Sequence, residues 1–299
     1  MPATPGPMPG QAPTSFRRAS RSAFKQGRAS FRCMQTKEPA TPWLVRYGSS
    51  PRARLRLFCF PYAGGAAHIF RQWPQRLPED VEVCAVQPPG RGSRLRERPF
   101  TSLRELVAAA VPALQPFMDR PFAFYGHSMG AIIAYESARR LLEEGRPGPS
   151  HLFVSGRRAP QLPDADDLTY DLPDPEFIEE LRRLKGTPAE VLGNAELLRL
   201  VLPLLRADFA VTQTYKYEEG TPLACPLTAV GGLGDEEVTR EHLERWRELT
   251  TGDFSLHTVP GDHFFLHTSQ ALLLEILARR LPRLGDCGDS VVGTLADDA

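Results

Sequence analysis

The chain has 299 residues, 36 basic and 36 acidic side chains, and five cysteines. That length can bury a sizeable core as one large α/β domain or two small ones. The balanced charge gives no reason to expect nucleic acid or a membrane surface as a partner, and no apolar run approaches the roughly 20 residues that span a bilayer.

Residues 1–40 are rich in Pro, Ser, Ala and Arg and lack hydrophobic periodicity; no acidic residue precedes Glu38. This composition fits a disordered extension, or alternatively an organellar transit peptide, and Met34 is a candidate start. The globular pattern begins near Trp43. Leu55–Phe60 reads as a strand and runs into the glycine-containing loop Pro61-Tyr62-Ala63-Gly64-Gly65. A helix is expected over Ala67–Leu77, with Phe70 and Trp73 inward, then a strand over Val81–Val86 and the loop Gln87–Gly92. Ser102 has the character of an N-cap, with Glu105 three residues on, for a helix through Val111. Phe122–Tyr125 is the third clear strand. It leads into Gly126-His127-Ser128-Met129-Gly130 and a helix ending near Gly145.

Strands are expected next at His151–Val154, Leu227–Val230 and Leu256–Val259, and a last helix over Thr268–Leu281. Strands alternating with helices imply an α/β fold, a mainly parallel, twisted sheet covered on both faces. Residues about 160–222 interrupt the alternation with helical patterns at Pro175–Leu184, Pro188–Leu192 and Ala195–Tyr215, the last restarted or kinked at Pro203. Such an insertion is a candidate lid; ordinary packing helices are the alternative. The expected organisation is an extension over 1–40, an α/β domain over 41–284 and a flexible tail over 285–299. The cysteines (33, 59, 84, 225 and 287) show no CxxC spacing; Cys59, Cys84 and Cys225, in or beside apolar runs, are expected to be buried free thiols, in a reducing, cytoplasmic compartment.

Strand–GxSxG–helix is the context of a nucleophile elbow, in which small residues flank a serine held at the tip of a sheet, and the expected fold is accordingly an α/β-hydrolase fold. A serine hydroxyl needs a base within reach and a carboxylate to orient that base, in the chain order serine, acid, histidine. His68 and His127 precede the serine. His151 and His257 sit at or in strands, His242 on a charged helix, and His267 near the last helix. His263, in the loop just after the last strand, is the preferred base. Asp235, 28 residues before it and after a strand end, is the preferred acid; Glu236, Glu237, Asp262 and Asp208 are competitors. The backbone N–H groups of Met129 and Ala63 are the preferred oxyanion donors, with Tyr62 next. A Gly-rich loop between strand and helix also suits phosphate, although no GxGxxG or GxxxxGK[ST] is present.

Beyond that reading, the runs FPYAGGAAHIFRQW, QPPGRGSRLRE, GHSMGAIIAYESAR, HLFVSGRRAP, LKGTPAEVLGNAELLRLVLPLLRADF and PGDHFFL occur in this order over residues 43–281. In that they resemble the type II thioesterases, the stand-alone editing hydrolases of polyketide and non-ribosomal peptide synthesis. The resemblance implies a Ser128, Asp235, His263 triad, oxyanion donors at Met129 and Ala63, and a mobile lid over 160–222. It implies an acyl group on the phosphopantetheine arm of an acyl or peptidyl carrier protein as substrate. A monomer needing no cofactor or metal is expected, since thiolate is a good leaving group. Arg91, Arg94, Arg157 and Arg158 are candidates for an acidic carrier surface or the phosphate of the arm. The first 40 residues have no counterpart in the family, and no proline follows the acid. A medium-chain fatty acyl thioesterase, a small-molecule carboxylesterase and a non-catalytic binding module are the competing readings.

Overall fold

The computed structural model describes residues 40–47, 52–162 and 168–281. The extension expected over residues 1–40 falls outside these apart from Ala40, as do the expected tail, Cys33 and Cys287. Seven strands form one sheet: β1 (Leu44–Tyr47), β2 (Leu55–Phe60), β3 (Val81–Val86), β4 (Phe122–His127), β5 (Leu152–Ser155), β6 (Leu227–Gly232) and β7 (Phe254–Val259). Their order is β1-β3-β2-β4-β5-β6-β7. The edge strand β1 pairs antiparallel with β3, and every other neighbouring pair is parallel.

Strands β2, β3, β4 and β5 are buried along their whole length. That is the continuous apolar reading of a parallel sheet covered on both faces. Alternate side chains divide between two cores. Phe58, Phe60, Cys84 and Phe124 pack with α1 (Leu103–Leu114) and α2 (Met129–Glu143) on one face. Leu57, Cys59, Val83 and Tyr125 pack on the other with Phe70, Trp73 and α8 (Gln270–Arg280). Cys59 and Cys84 are fully buried free thiols, and burial pushes the Cys84 thiol up to about 12.

Two expectations differ in detail. Ala67–Leu77 is two 3-10 turns, Ala67–Phe70 and Trp73–Gln75, because Pro74 has no N–H to carry an α-helix through this stretch. The expected inward residues Phe70 and Trp73 are nonetheless completely buried. The expected last helix is α8, and a separate short helix, α7 (Phe265–Thr268), precedes it across Ser269. The third helix of the insertion, α5 (Ala195–Gln213), runs unbroken through Pro203, held by buried Leu202, Leu205, Ala207, Ala210 and Val211. Asn194 caps it, its Oδ1 accepting the N–H groups of Glu196 and Leu197.

The insertion lies between β5 and β6 and comprises α3 (Asp174–Leu184), α4 (Ala189–Leu192) and α5. Phe177 and Leu181 of α3 pack with Leu202 and Leu205 of α5 in a small core of their own. A short helix α6 (Arg240–Glu244) follows β6.

This order fixes where chemistry can be assembled. From β2 the chain moves outward to β3, then returns past β2 to β4. The sheet therefore reverses direction between β2 and β4. In open parallel sheets the crevice at such a reversal, outside the carboxyl ends of the strands, is where ligands bind. Four of the loops that leave that edge carry the candidate residues: Pro61–Gly65 after β2, Ser128 after β4, the loop after β6 and the loop after β7.

Candidate active site

Ser128 sits between β4 and α2 with φ 53° and ψ −116°, a conformation a side-chain-bearing residue rarely adopts. Strain of that kind costs about 1–3 kcal/mol and persists only where the surroundings impose it. They do so here through two glycines. A Cβ on Gly126 would lie 2.0 Å from the Gly130 carbonyl oxygen, and one on Gly130 would lie 2.1 Å from the Phe60 carbonyl oxygen. The Ser128 N–H donates to the Ser155 carbonyl at 2.8 Å, fastening the turn to β5. Met129 is the first residue of α2, so its N–H is one of the amides a helix leaves without an internal partner, at the positive end of the helix dipole.

The loop after β2 closes as a turn in which the Gly65 N–H donates to the Tyr62 carbonyl at 2.9 Å. Gly64 has φ +78°, the positive value such a turn needs at its third residue. Ala63, the second residue of the turn, lines a cavity of about 440 Å³ together with Ser128 and His263. The insertion supplies much of the opposite wall through Leu181, Leu184, Leu205 and Phe209.

Asp235 and His263 come from the loops after β6 and β7, which are zipped together. The Leu233 N–H donates to the Val259 carbonyl at 2.9 Å and the Gly234 N–H to the Gly261 carbonyl at 2.8 Å. His263 Nδ1 then lies 2.9 Å from Asp235 Oδ2. The Asp235 side chain is wholly buried, and its other oxygen accepts the N–H groups of Glu237 at 2.9 Å and Val238 at 3.1 Å. The competing acids are engaged elsewhere. Asp262 accepts the Phe264 N–H, Glu237 pairs with Arg183, and Glu236 is exposed.

The remaining histidines have separate roles. His127, inside the elbow, is buried beneath the site with Nδ1 2.8 Å from Ser155 Oγ. Tyr125 O–H donates to the same Ser155 oxygen, leaving the serine hydrogen for His127. Burial first, then the neighbouring His263, pushes the His127 pKa well below its ordinary value, so the ring is neutral. His151 stacks on Phe153 and bonds Thr228 Oγ1 at 2.9 Å. The His242 ring accepts the Thr239 N–H in a capping box on α6. His267 Nε2 lies 2.9 Å from Tyr62 Oη, bracing the loop after β2.

Comparisons with known proteins give the family of the chain. The thioesterase domain family matches over residues 55–284. The gramicidin S biosynthesis protein GrsT of Aneurinibacillus migulanus is 47% identical over 239 residues, 80% of this chain and 93% of that protein. The chain belongs to the thioesterase family. Thioesterase PikA5 of Streptomyces venezuelae is 40% identical, covering 75% of this chain and 80% of that one. Among solved structures, the RedJ thioesterase from the prodiginine pathway of Streptomyces coelicolor is 45% identical, with a TM-score of 0.71 over 76% of this chain and 86% of its own. The thioesterase described here is accordingly a thioester hydrolase of the α/β-hydrolase type.

Two of the arginines considered for a carrier or phosphate are structural. Arg94 is buried against Trp43, 4.3 Å from its ring centre, and paired with Glu97. Arg91 forms a buried two-bond pair with Asp208 of α5, at 2.7 Å for each bond. Arg157 and Arg158 line the cavity wall. The link between Arg91 and Asp208 was not legible beforehand, because the two lie 117 positions apart and on separate elements.

Proposed function

We propose that this thioesterase removes acyl groups from the phosphopantetheine arm of carrier proteins in polyketide or non-ribosomal peptide assembly, clearing aberrant or stalled chains. The relatives support the pathway class, since GrsT is named for gramicidin S biosynthesis and RedJ for the prodiginine pathway. The observation that carries the chemistry is the convergence of Ser128, Ala63 and His263 on one cavity, with His263 bonded to a buried Asp235.

In this mechanism the His263 Nδ1–H donates to Asp235, which leaves Nε2 as the basic nitrogen. As the Ser128 oxygen attacks the thioester carbonyl, its proton passes to Nε2. The developing oxyanion is held by the Met129 and Ala63 N–H groups. Collapse of the tetrahedral intermediate breaks the carbon–sulfur bond, and the thiol of the arm departs. Water then attacks the acyl-serine with His263 again as base, and collapse releases the free acid and restores the serine. Negative charge on the buried Asp235 stabilises the imidazolium formed in each half-reaction, and its bonds to the Glu237 and Val238 amides hold it in place.

The helical insertion is assigned the part of a lid. Its inner side chains Leu181, Leu184, Leu205 and Phe209 give the acyl chain an apolar wall opposite the serine. Opening of α3 and α4 would admit the arm, and closure would exclude water from the intermediate. A reducing cytoplasmic setting suits both the carrier substrate and the buried free thiols Cys59 and Cys84.

The test compares kcat/KM for one acyl group on a carrier protein, on coenzyme A and on a simple alcohol as an ester. The carrier thioester is expected to lead by at least about tenfold. A preference for the simple ester would contradict the proposal. A peak in rate at medium-chain acyl groups would move the reading to a fatty acyl thioesterase.

A further inference from the structure

We propose that Asp208, a buried carboxylate on the lid helix α5, is a positioning residue for the oxyanion hole. This inference rests on the reading of the Ala63 N–H as an oxyanion donor and extends it. Asp208 Oδ2 accepts the Gly64 N–H at 2.7 Å, while Arg91 donates to both carboxylate oxygens at 2.7 Å. Asp208 is 2% exposed and Arg91 is 4% exposed. The pair is therefore withdrawn from water, where charge–dipole bonds are strong and direction matters.

Gly64 follows Ala63 directly, so a bond to the Gly64 N–H fixes the plane of the peptide that joins them. The next peptide is fixed as well, because the Gly65 N–H donates to the Tyr62 carbonyl. With both planes after Ala63 held, the turn cannot rotate, and the Ala63 N–H keeps one direction. Arg91 reinforces this through the Gly65 carbonyl at 3.4 Å and the Pro89 carbonyl at 3.1 Å. Gln87 ties in the far side of the loop. Its Oε1 accepts the Ala67 N–H at 3.1 Å and its Nε2 donates to the Arg91 carbonyl at 2.9 Å.

The same helix presses on the loop. A Cβ on Gly64 would lie 2.7 Å from Leu205 Cδ2, three residues before Asp208 on α5. Helix α5 thus carries the cavity-lining side chains Leu205 and Phe209 and, between them, the acceptor that aims the oxyanion loop. A buried ion pair is weak evidence of stability, since apolar replacements of similar volume often do as well. Placing it against an oxyanion donor, where alignment governs rate, gives it a role that stability does not. The lid helix and the oxyanion hole accordingly act as one unit.

The test uses two double variants that share the same loss of the arginine and differ only in the acceptor. Arg91→Gln with Asp208→Asn removes both charges but keeps an amide oxygen facing Gly64. Arg91→Gln with Asp208→Leu has the same shape and no acceptor. Hydrolysis of an acyl N-acetylcysteamine thioester is measured, so that carrier recognition plays no part. The asparagine pair is expected to hold kcat within about threefold of wild type. The leucine pair is expected to lose about 10–100-fold in kcat, with KM within about twofold. Affinity for an alkyl boronic acid, whose adduct on Ser128 mimics the tetrahedral oxyanion, should fall in step with kcat. Equal kcat in the two pairs, or a change confined to KM, would overturn the proposal. A measurement on the wild-type protein stands apart from how well the variants fold: the Gly64 amide should resist hydrogen exchange, and exchange at the rate of an open loop amide would overturn it too. Failure of the serine mechanism on which both readings rest would show differently, as unimpaired hydrolysis by Ser128→Ala.

Discussion

A methyl group at Gly126 or Gly130 would occupy space already filled by backbone, of Gly130 and Phe60 respectively, and backbone cannot rotate away as a side chain can. Gly130→Ala is expected to cost about 3 kcal/mol, the upper part of the range for overpacking, and to lower Tm by roughly 6–12 °C for a domain of this size. Gly148→Ala, where a Cβ meets nothing within 4 Å, should leave Tm unchanged in the same thermal scan. The acid is also decided one residue at a time. Asp235→Asn should reduce kcat by about 10³–10⁴-fold with the fold intact, because an amide no longer stabilises the imidazolium or fixes its tautomer. Glu237→Gln breaks only an exposed pair with Arg183 and should leave kcat within about threefold. Equal losses in the two variants would remove Asp235 from the mechanism.

Between elements, the contact of β5 with β6 carries a pH dependence of its own. His151 is buried at the start of β5, stacked on Phe153 and bonded to Thr228 of β6. Burial pushes its pKa down to about 4 from an ordinary 6.5. Above pH 6.5 the ring is neutral both folded and unfolded and contributes no dependence. As pH falls from 6.5 to 4 the unfolded chain takes up a proton that the folded one resists, so stability declines across that window. The shift corresponds to about 3 kcal/mol, and the decline levels off below pH 4. His127 acts in the same direction. His151→Gln should flatten the urea midpoint against pH between 4 and 6.5, and an unchanged slope would contradict the assignment. The first long helix offers a smaller test. The Ser102 hydroxyl accepts the Glu105 N–H at the start of α1, so Ser102→Ala should cost about 1 kcal/mol in urea denaturation.

Over the whole molecule, what could be read in advance was what the chain states locally. The central strands are unbroken apolar runs, the elbow carries its own glycines, and the loop after the last strand holds one histidine in a setting that suits a base. Local signals also misled where two of them competed. The apolar spacing of Phe70 and Trp73 reads as a helix, while Pro74 between them and Leu77 dictates turns. Strand β1 escaped because four half-buried residues on a sheet edge make too short a pattern. The bond from Asp208 to Arg91 and Gly64 was invisible for a different reason. It joins the loops after the paired strands β2 and β3 to helix α5 of the insertion, and neither partner has a local signature. Arg91, legible only as a surface cation, is in fact buried for the same reason. The sheet order thus accounts for the gathering of the site, and the docking of the insertion helix on two neighbouring loops for the part of it that the sequence concealed.

The central claim is that Ser128 is the nucleophile of a thioester hydrolase. The most direct measurement is hydrolysis of an acyl-carrier thioester by Ser128→Ala, alongside a circular dichroism melt that establishes its fold. The account predicts an unchanged melt and a fall in kcat of at least about 10³-fold. A folded variant that retains turnover within tenfold of wild type would contradict it.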